Sequence, residues 1–466
     1  MTLDLDKAVS LAMEHNQHLK EVESLVEKAR YGYLASISDW LPKLELISQA
    51  YQTQHDQIGG SNAKSSFLTQ LVLTQTLFSS STYYNIQLSS LVYKELELIN
   101  LSLVNDILYD VRRTYYQVIL DQRQLETART HVEILKTLAQ RMEERYQIGT
   151  ATSFDVNQSQ VAVANALSVY YKSLKKLKLD LNLLEKVLGY DPGSVVIEIS
   201  EETIPIESVP FLDEKLKGKK EVFLEMTSSY GFIFPRSNPE EQENMVDHLF
   251  SDQEIHDWEK KALLLRPDLK KAENHWKIAN KNVAKEKGKY FPKVDLEVSY
   301  GGEPTPFDEY PRSRFNNQSF QWGVGINLKW DLFDSFKRER TIRAAEAKSQ
   351  AEKFSWNYQV QKAFQEVRDQ IFSIENAIAI TLSSEGNVKL AEQTLAQAGE
   401  KLEIGYISIF DYQISVNNFI EAKYIYDDSQ FALIDAYYQL RHASGVDVNV
   451  KEDEDAWKIK SSKRKD

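Results

Sequence analysis

The 466 residues contain no cysteine. Within this chain that excludes disulfides, thiolate metal sites, a cysteine nucleophile and a lipid-bearing cysteine. No uninterrupted apolar run reaches the roughly 20 residues of a transmembrane helix. The opening "MTLDLDKAVSLAMEHN" has no basic start followed by an apolar stretch. The expectation is therefore a cytoplasmic chain, or a sequence from which a leader has been removed. An excess of positive charge is missing too. The net charge of −13 leaves no basic surface to neutralise phosphates, which argues against nucleic-acid binding. No GxxxxGK[ST] loop occurs, and "GVG" at Gly323–Gly325 lies in a strand pattern without the helix start that a dinucleotide site needs. His15 and His18 lack any HExxH context and read as surface polar residues. Carboxylates are abundant, but no constellation singles out an acid and a base. No cofactor or metal is expected, and an enzyme is the least supported class.

What is there is a duplication. "DWLPKLEL" at Asp39–Leu46 is matched by "KYFPKVDLEV" at Lys289–Val298, with Pro42 and Pro292 offset by 250 residues. "RYQIGTATSFDV" is matched by "KLEIGYISIFDY", with Gly149 and Gly405, Phe154 and Phe410, and Asp155 and Asp411 all offset by 256. A period this long is a duplicated domain, because solenoid repeats run to about 20–50 residues. Each copy shows the same order of periodicities: helix, strand, strand, helix, helix. The first helix spans about residues 5–40 in one copy and about 254–291 in the other. The expected division is 1–190 for the first repeat, 191–253 for an inter-repeat segment, 254–446 for the second repeat and 447–466 for a charged tail. The inter-repeat segment holds Pro192, Pro205, Pro210, Pro235 and Pro239, and reads as a linker packed on the outside.

The long helix of the first copy, about 81–148, contains neither glycine nor proline. Val104, Leu108, Val111, Tyr115, Val118, Leu125, Val132, Ala139, Met142 and Tyr146 recur on alternating three- and four-residue steps. That is a heptad stripe, which packs lengthwise on neighbouring helices. At about 1.5 Å per residue the helix reaches roughly 100 Å. An elongated soluble coiled-coil scaffold would also carry such a helix, and that alternative stays open at this point.

The strands weigh against the scaffold. "SFQWGVGINLKW" places Phe320, Trp322, Val324, Ile326, Leu328 and Trp330 on one face. The preceding "PKVDLEVSYG" alternates in the same way. The first copy has longer and less regular counterparts, so strands are expected at about 43–54, 66–78, 293–301 and 319–333. A tilted strand crosses a bilayer in about 9–11 residues, with an apolar outer face and aromatic belts at the interfaces. A soluble sheet burying one face is the other reading of each strand alone. Four strands per chain cannot close an open-bored barrel, and in lipid every edge must be paired, so several chains would share one.

The duplicated unit, the "LPK" and "FPK" strand entries, the strand ends Leu77–Phe78 and Leu332–Phe333, and the Gly-x5-Asp turns together resemble the TolC-type outer-membrane efflux proteins, over about residues 3–446. The resemblance implies a mainly α fold with β: a homotrimer whose long helices form an α-barrel tunnel through the periplasm, with a shared twelve-stranded transmembrane β-barrel. It implies the bacterial outer membrane as location. It implies a periplasmic adaptor and an inner-membrane transporter as partners, and passive export through a tripartite efflux or type I secretion system. The adaptor-contacting tips map onto Tyr146, Gly149 and Thr150, and onto Gly405, Tyr406 and Ser408. Phe154 and Phe410 would pack the turns against the bundle. Family members place acidic residues in the periplasmic constriction. Asp411 matches one, with Asp155 as its counterpart in the first copy, and both also stand where a helix N-terminus is capped. The second acidic position holds Ile414, and the position of a locking arginine holds Ile407. The charged lock is therefore incomplete, and apolar closure by Ile407, Phe410 and Ile414 is the expectation.

Overall fold

The computed structural model describes residues 2–57, 60–199, 211, 215, 250–302, 305–306 and 320–448. Most of the inter-repeat segment and all but two residues of the expected tail lie outside the described residues. In chain order the elements are β1 (Thr2–Leu3), α1 (Leu5–His15), α2 (Gln17–Ser38), β2 (Lys43–Gln57), β3 (Gly60–Phe78), α3 (Ser80–Gln147), α4 (Ser153–Val187), β4 (Glu198–Ile199), α5 (Asp252–Leu265), α6 (Pro267–Gly288), β5 (Lys293–Gly302), β6 (Thr305–Pro306), β7 (Phe320–Lys329), α7 (Lys337–Glu403) and α8 (Ile409–Ser444). The chain divides into two compact units. One comprises Met1–Glu21, Leu101–Pro267 and Val360–Asp466; the other comprises Val22–Asn100 and Asp268–Gln359.

One difference from the sequence expectation recurs at the same place in both copies. The first helix is broken, at Asn16 in one copy and at Arg266 in the other. Asn16 leaves the helical region with ψ 119°. Its side-chain oxygen accepts the N–H groups of His18 (3.0 Å) and Leu19 (3.1 Å), and its amide donates to the Val187 carbonyl (3.3 Å). This is the local competition with the backbone that asparagine offers. Arg266, at ψ 118°, precedes Pro267, whose ring disfavours a helical residue before it.

The first unit holds a core that includes Val111, Tyr115, Val118 and Ile119 of α3, Ile371, Ile374 and Ile378 of α7, and Leu433, Ile434 and Leu440 of α8. Leu3, on the short β1 that pairs in parallel with β4, is fully buried in it. The burial is wider than a single heptad seam: Tyr116 and Leu120 are covered as well as Tyr115 and Val118. Helix α3 is packed on more than one side there, which a two-partner coiled-coil stripe does not anticipate.

The second unit holds the main sheet, in the order β2-β3-β5-β7 with all three pairings antiparallel; β6 adds a short pairing to β3. Strands of 15, 19, 10 and 10 residues are well above the common length of about 5–6. β7 stops at Lys329, short of the expected 333. Trp330 lies just beyond the strand, its indole N–H donating to the Tyr290 carbonyl at 3.0 Å.

Candidate functional site

Register fixes which side chains share a face of the sheet, because successive residues alternate. Leu46, Leu71, Tyr300 and Trp322 stand in one row across the four strands. Leu44, Leu73, Val298 and Val324 form the next, and Leu296 faces Ile326 beyond them. Phe78, Val294 and Leu328 complete the face after a register shift between Thr76 and Phe78. The face is uncovered in the single chain: Trp322 is 76% and Ile326 70% exposed, and Val324, Leu328 and Trp330 are exposed as well. The side chain of Phe320 lies outside the described residues. The opposite face carries Lys43, Glu45, Asp295, Glu297, Asn327 and Lys329. Thr76 of β3 donates across it to Asp295 of β5 (2.9 Å), and Lys293 pairs with Asp295 along the same strand (2.9 Å).

Magnitudes decide what this arrangement implies. Leaving Trp322, Val324, Ile326 and Leu328 in water forgoes about 1.5–3 kcal/mol each. The total is of the order of a whole domain's stability, about 5–15 kcal/mol. The outer edges of β2 and β7 each lack a ladder partner among the described residues.

The helical turns form a second group. Each long helix ends in a left-handed glycine, Gly149 (φ 80°) and Gly405 (φ 72°). Gly149 N–H donates to the Tyr146 carbonyl (2.9 Å) and Thr150 N–H to that of Arg145 (2.8 Å). Gly405 N–H donates to Leu402 (3.2 Å) and Tyr406 N–H to Lys401 (2.8 Å) in the same pattern. This is the Schellman closure, which calls for a residue without a Cβ penalty at positive φ. The next helix then opens on a capping box. Thr152 and Asp155 make one, and Ser408 and Asp411 the other, with the hydroxyl accepting the N3 amide and the carboxylate accepting the N-cap amide. Hydrogen bonds from the Thr152 amide and hydroxyl hold the Asp155 carboxyl below its usual range. Those from the Ser408 hydroxyl and amide do the same for Asp411. Both carboxylates are ionised at neutral pH.

Below these turns lies a core of Val132, Leu135, Leu138, Met142, Val156, Leu402, Ile409, Val416 and Ile420, with Ile407 partly buried against it. Phe154 and Phe410 are not part of that core; they are 71% and 56% exposed. Packing of the turn is supplied by their neighbours Val156 and Ile409 instead. Tyr146, Tyr406 and Ile414 are exposed too, as are Ile148 and Ile404. The last two were not singled out in the sequence, although each directly precedes a turn glycine. Among the described residues no cluster of metal-ligating side chains occurs, and no helix is long and apolar enough to cross a membrane.

The family model of the outer membrane efflux proteins matches residues 8–190 and again 258–446. The chain belongs to that family. The efflux protein is 24% identical over 371 residues to the solvent efflux pump outer membrane protein SrpC of Pseudomonas putida, covering 78% of this chain and 68% of SrpC. It is 23% identical over 158 residues to the cation efflux system protein CusC of Escherichia coli K12, covering 33% of this chain and 34% of CusC. The crystal structure of the Campylobacter jejuni CmeC outer membrane channel superimposes with a TM-score of 0.74 at 16% identity, over 95% of this chain and 85% of CmeC. The duplicated fold is thus that of outer-membrane channels. The apolar sheet face belongs to a protein of the outer membrane, and the soluble-scaffold alternative is set aside.

Proposed function

We propose that three copies of this efflux protein close a twelve-stranded barrel, β7 of each chain pairing with β2 of the next, and that the assembly is a passive exit duct for a tripartite pump. The observation that carries this is the sheet itself. It has one exposed apolar face, one polar face and two edges without a ladder partner among the described residues. In hydrocarbon an unpaired edge amide costs several kcal/mol, so lipid on the face requires partners on the edges. Trp322, Val324, Ile326, Leu328 and Trp330 then face lipid, with Phe320 continuing the row. The duct performs no chemistry. Its cargo is set by the pump, in keeping with relatives named for solvents in one case and cations in another. Residues 1–190 and 254–446 act as the two repeats of each protomer.

The turns at Tyr146, Gly149 and Thr150, and at Gly405, Tyr406 and Ser408, present the surface for a periplasmic adaptor. That adaptor connects the duct to an inner-membrane transporter. The mouth is closed by apolar contact: Phe410 and Ile414 meet across the axis, braced by Ile407. Asp411 and Asp155 cap their helices and add fixed negative charge at the opening. Native mass spectrometry of the protein in detergent should give three times the 53.8 kDa chain mass, and planar bilayers should show pores. A single chain without conductance would sink the proposal. Asp411→Ala should change cation block of single-channel current, and unaltered block would remove Asp411 from the mouth.

A further inference from the structure

The two copies of the repeat leave the sheet differently. In the first, β3 ends at Phe78 and α3 begins two residues later, with Ser79 Oγ accepting the Thr82 N–H at 3.1 Å. In the second, a longer connection separates Lys329 from Lys337. Within it Ser335 (φ 56°) and Phe336 (φ 64°) both occupy the left-handed region, a rare state for a bulky residue. Asp334 holds this turn, its Oδ2 accepting the Arg338 backbone N–H (3.0 Å) and Nε–H (2.9 Å). The turn presents aromatic surface outward. Phe333 is 75% and Phe336 62% exposed, their rings edge to face with centroids 6.0 Å apart; Leu332 beside them is exposed as well.

Directly after the rings comes "KRERTIR". Arg338 pairs with Asp334 and Arg343 with Glu339. Lys337 and Arg340 are exposed and form no ion pair among the described residues. Cations in the first turn of a helix oppose its dipole. A strained phenylalanine, exposed rings and misplaced cations are each unfavourable in water. At a membrane interface the rings rest at the headgroup level and the cations meet phosphate. A constrained local backbone is a reason to look for function.

We infer that residues 332–340 form a docking surface for anionic phospholipid in the periplasmic leaflet, with Phe333 and Phe336 at the acyl boundary and Lys337 and Arg340 on the phosphate of phosphatidylglycerol. The first copy has Ser80, Ser81 and Thr82 at the corresponding place, so each chain offers one such surface. The inference rests on the placement of the sheet in the outer membrane, so insertion into nanodiscs is checked first. Failure to insert overturns that placement and this surface together; insertion without lipid preference overturns this surface alone.

The test is native mass spectrometry of the full chain with phosphatidylglycerol or phosphatidylcholine added. The wild type should retain phosphatidylglycerol preferentially. Lys337→Gln with Arg340→Gln should lower that retention roughly 30-fold at low salt, from about fivefold per cation. A control removing two other α7 charges, Lys348→Gln with Lys362→Gln, should leave it unchanged. Phe336→Gly should raise the melting temperature in detergent while reducing retention. Retention by the double variant equal to the wild type would overturn the inference. So would dissociation into single chains with lipid retention intact, because the cations would then serve contacts between copies.

Discussion

At the residue scale, ionisation gives opposite signs at different carboxylates. Asp155 and Asp411 are held low by their capping boxes. Their contribution is complete above the unfolded aspartate value of about 3.9 and fades as pH falls through the lower folded value. Asp180 on α4 runs the other way. Burial first, then the hydrogen bond and charge of Asp121, push it up to about 6, with Lys176 opposing. A raised carboxyl favours the folded state when protonated, so its effect on stability declines as pH rises from about 4 to about 6 and is flat beyond. Asp180→Asn should remove that slope from the melting temperature in detergent and raise stability at pH 7. The same slope in wild type and variant would show that another group titrates. Thr152→Ala, which deletes an N-cap hydroxyl, should cost about 1 kcal/mol in a denaturation measurement.

At the element scale, Asn16 carries the break between α1 and α2. Asn16→Ala removes two accepted amides and the bond to the Val187 carbonyl. It should destabilise the protein by about 1–2 kcal/mol in the same measurement. The break illustrates what the sequence could and could not carry. Helix α3 was legible because a missing glycine or proline over 68 residues and a heptad stripe leave little else for the backbone to do. The β7 face was legible because alternation has one meaning at that length. The break at Asn16 was not, since nothing in "EHNQHL" announces it and its partner lies 171 residues away. The end of β7 at Lys329 was hidden by aromatics that continue the alternating pattern into Trp330, although Lys329 already pairs with Lys293, the first residue of β5. Ser335 and Phe336 at positive φ contradict local preference, and only the folded backbone reveals them. At the turns, the glycines and the capping aspartates were readable from spacing. The exposure of Phe154, Phe410, Ile148 and Ile404 depends on which neighbours fill the core beneath, and periodicity does not report that.

At the scale of the whole molecule, described helices, none of them long and apolar enough to cross a membrane, coexist in one chain with an exposed apolar sheet face. The polar average conceals this because the apolar face is assembled from alternate residues of four separate strands. No strand alone raises the hydropathy of its segment enough to stand out. The absence of cysteine makes the arrangement directly testable, since any introduced thiol is the sole labelling site. Val324→Cys, Ile326→Cys and Asn327→Cys should be spin-labelled one at a time in protein reconstituted in bilayers. Collision rates should then be measured with oxygen, which concentrates in hydrocarbon, and with a water-soluble nickel chelate. Labels at 324 and 326 should be reached by oxygen and shielded from nickel, and the label at 327 should be reached by nickel. Labels at 324 and 326 reached by neither reagent, or by nickel alone, would contradict a hydrocarbon-facing sheet.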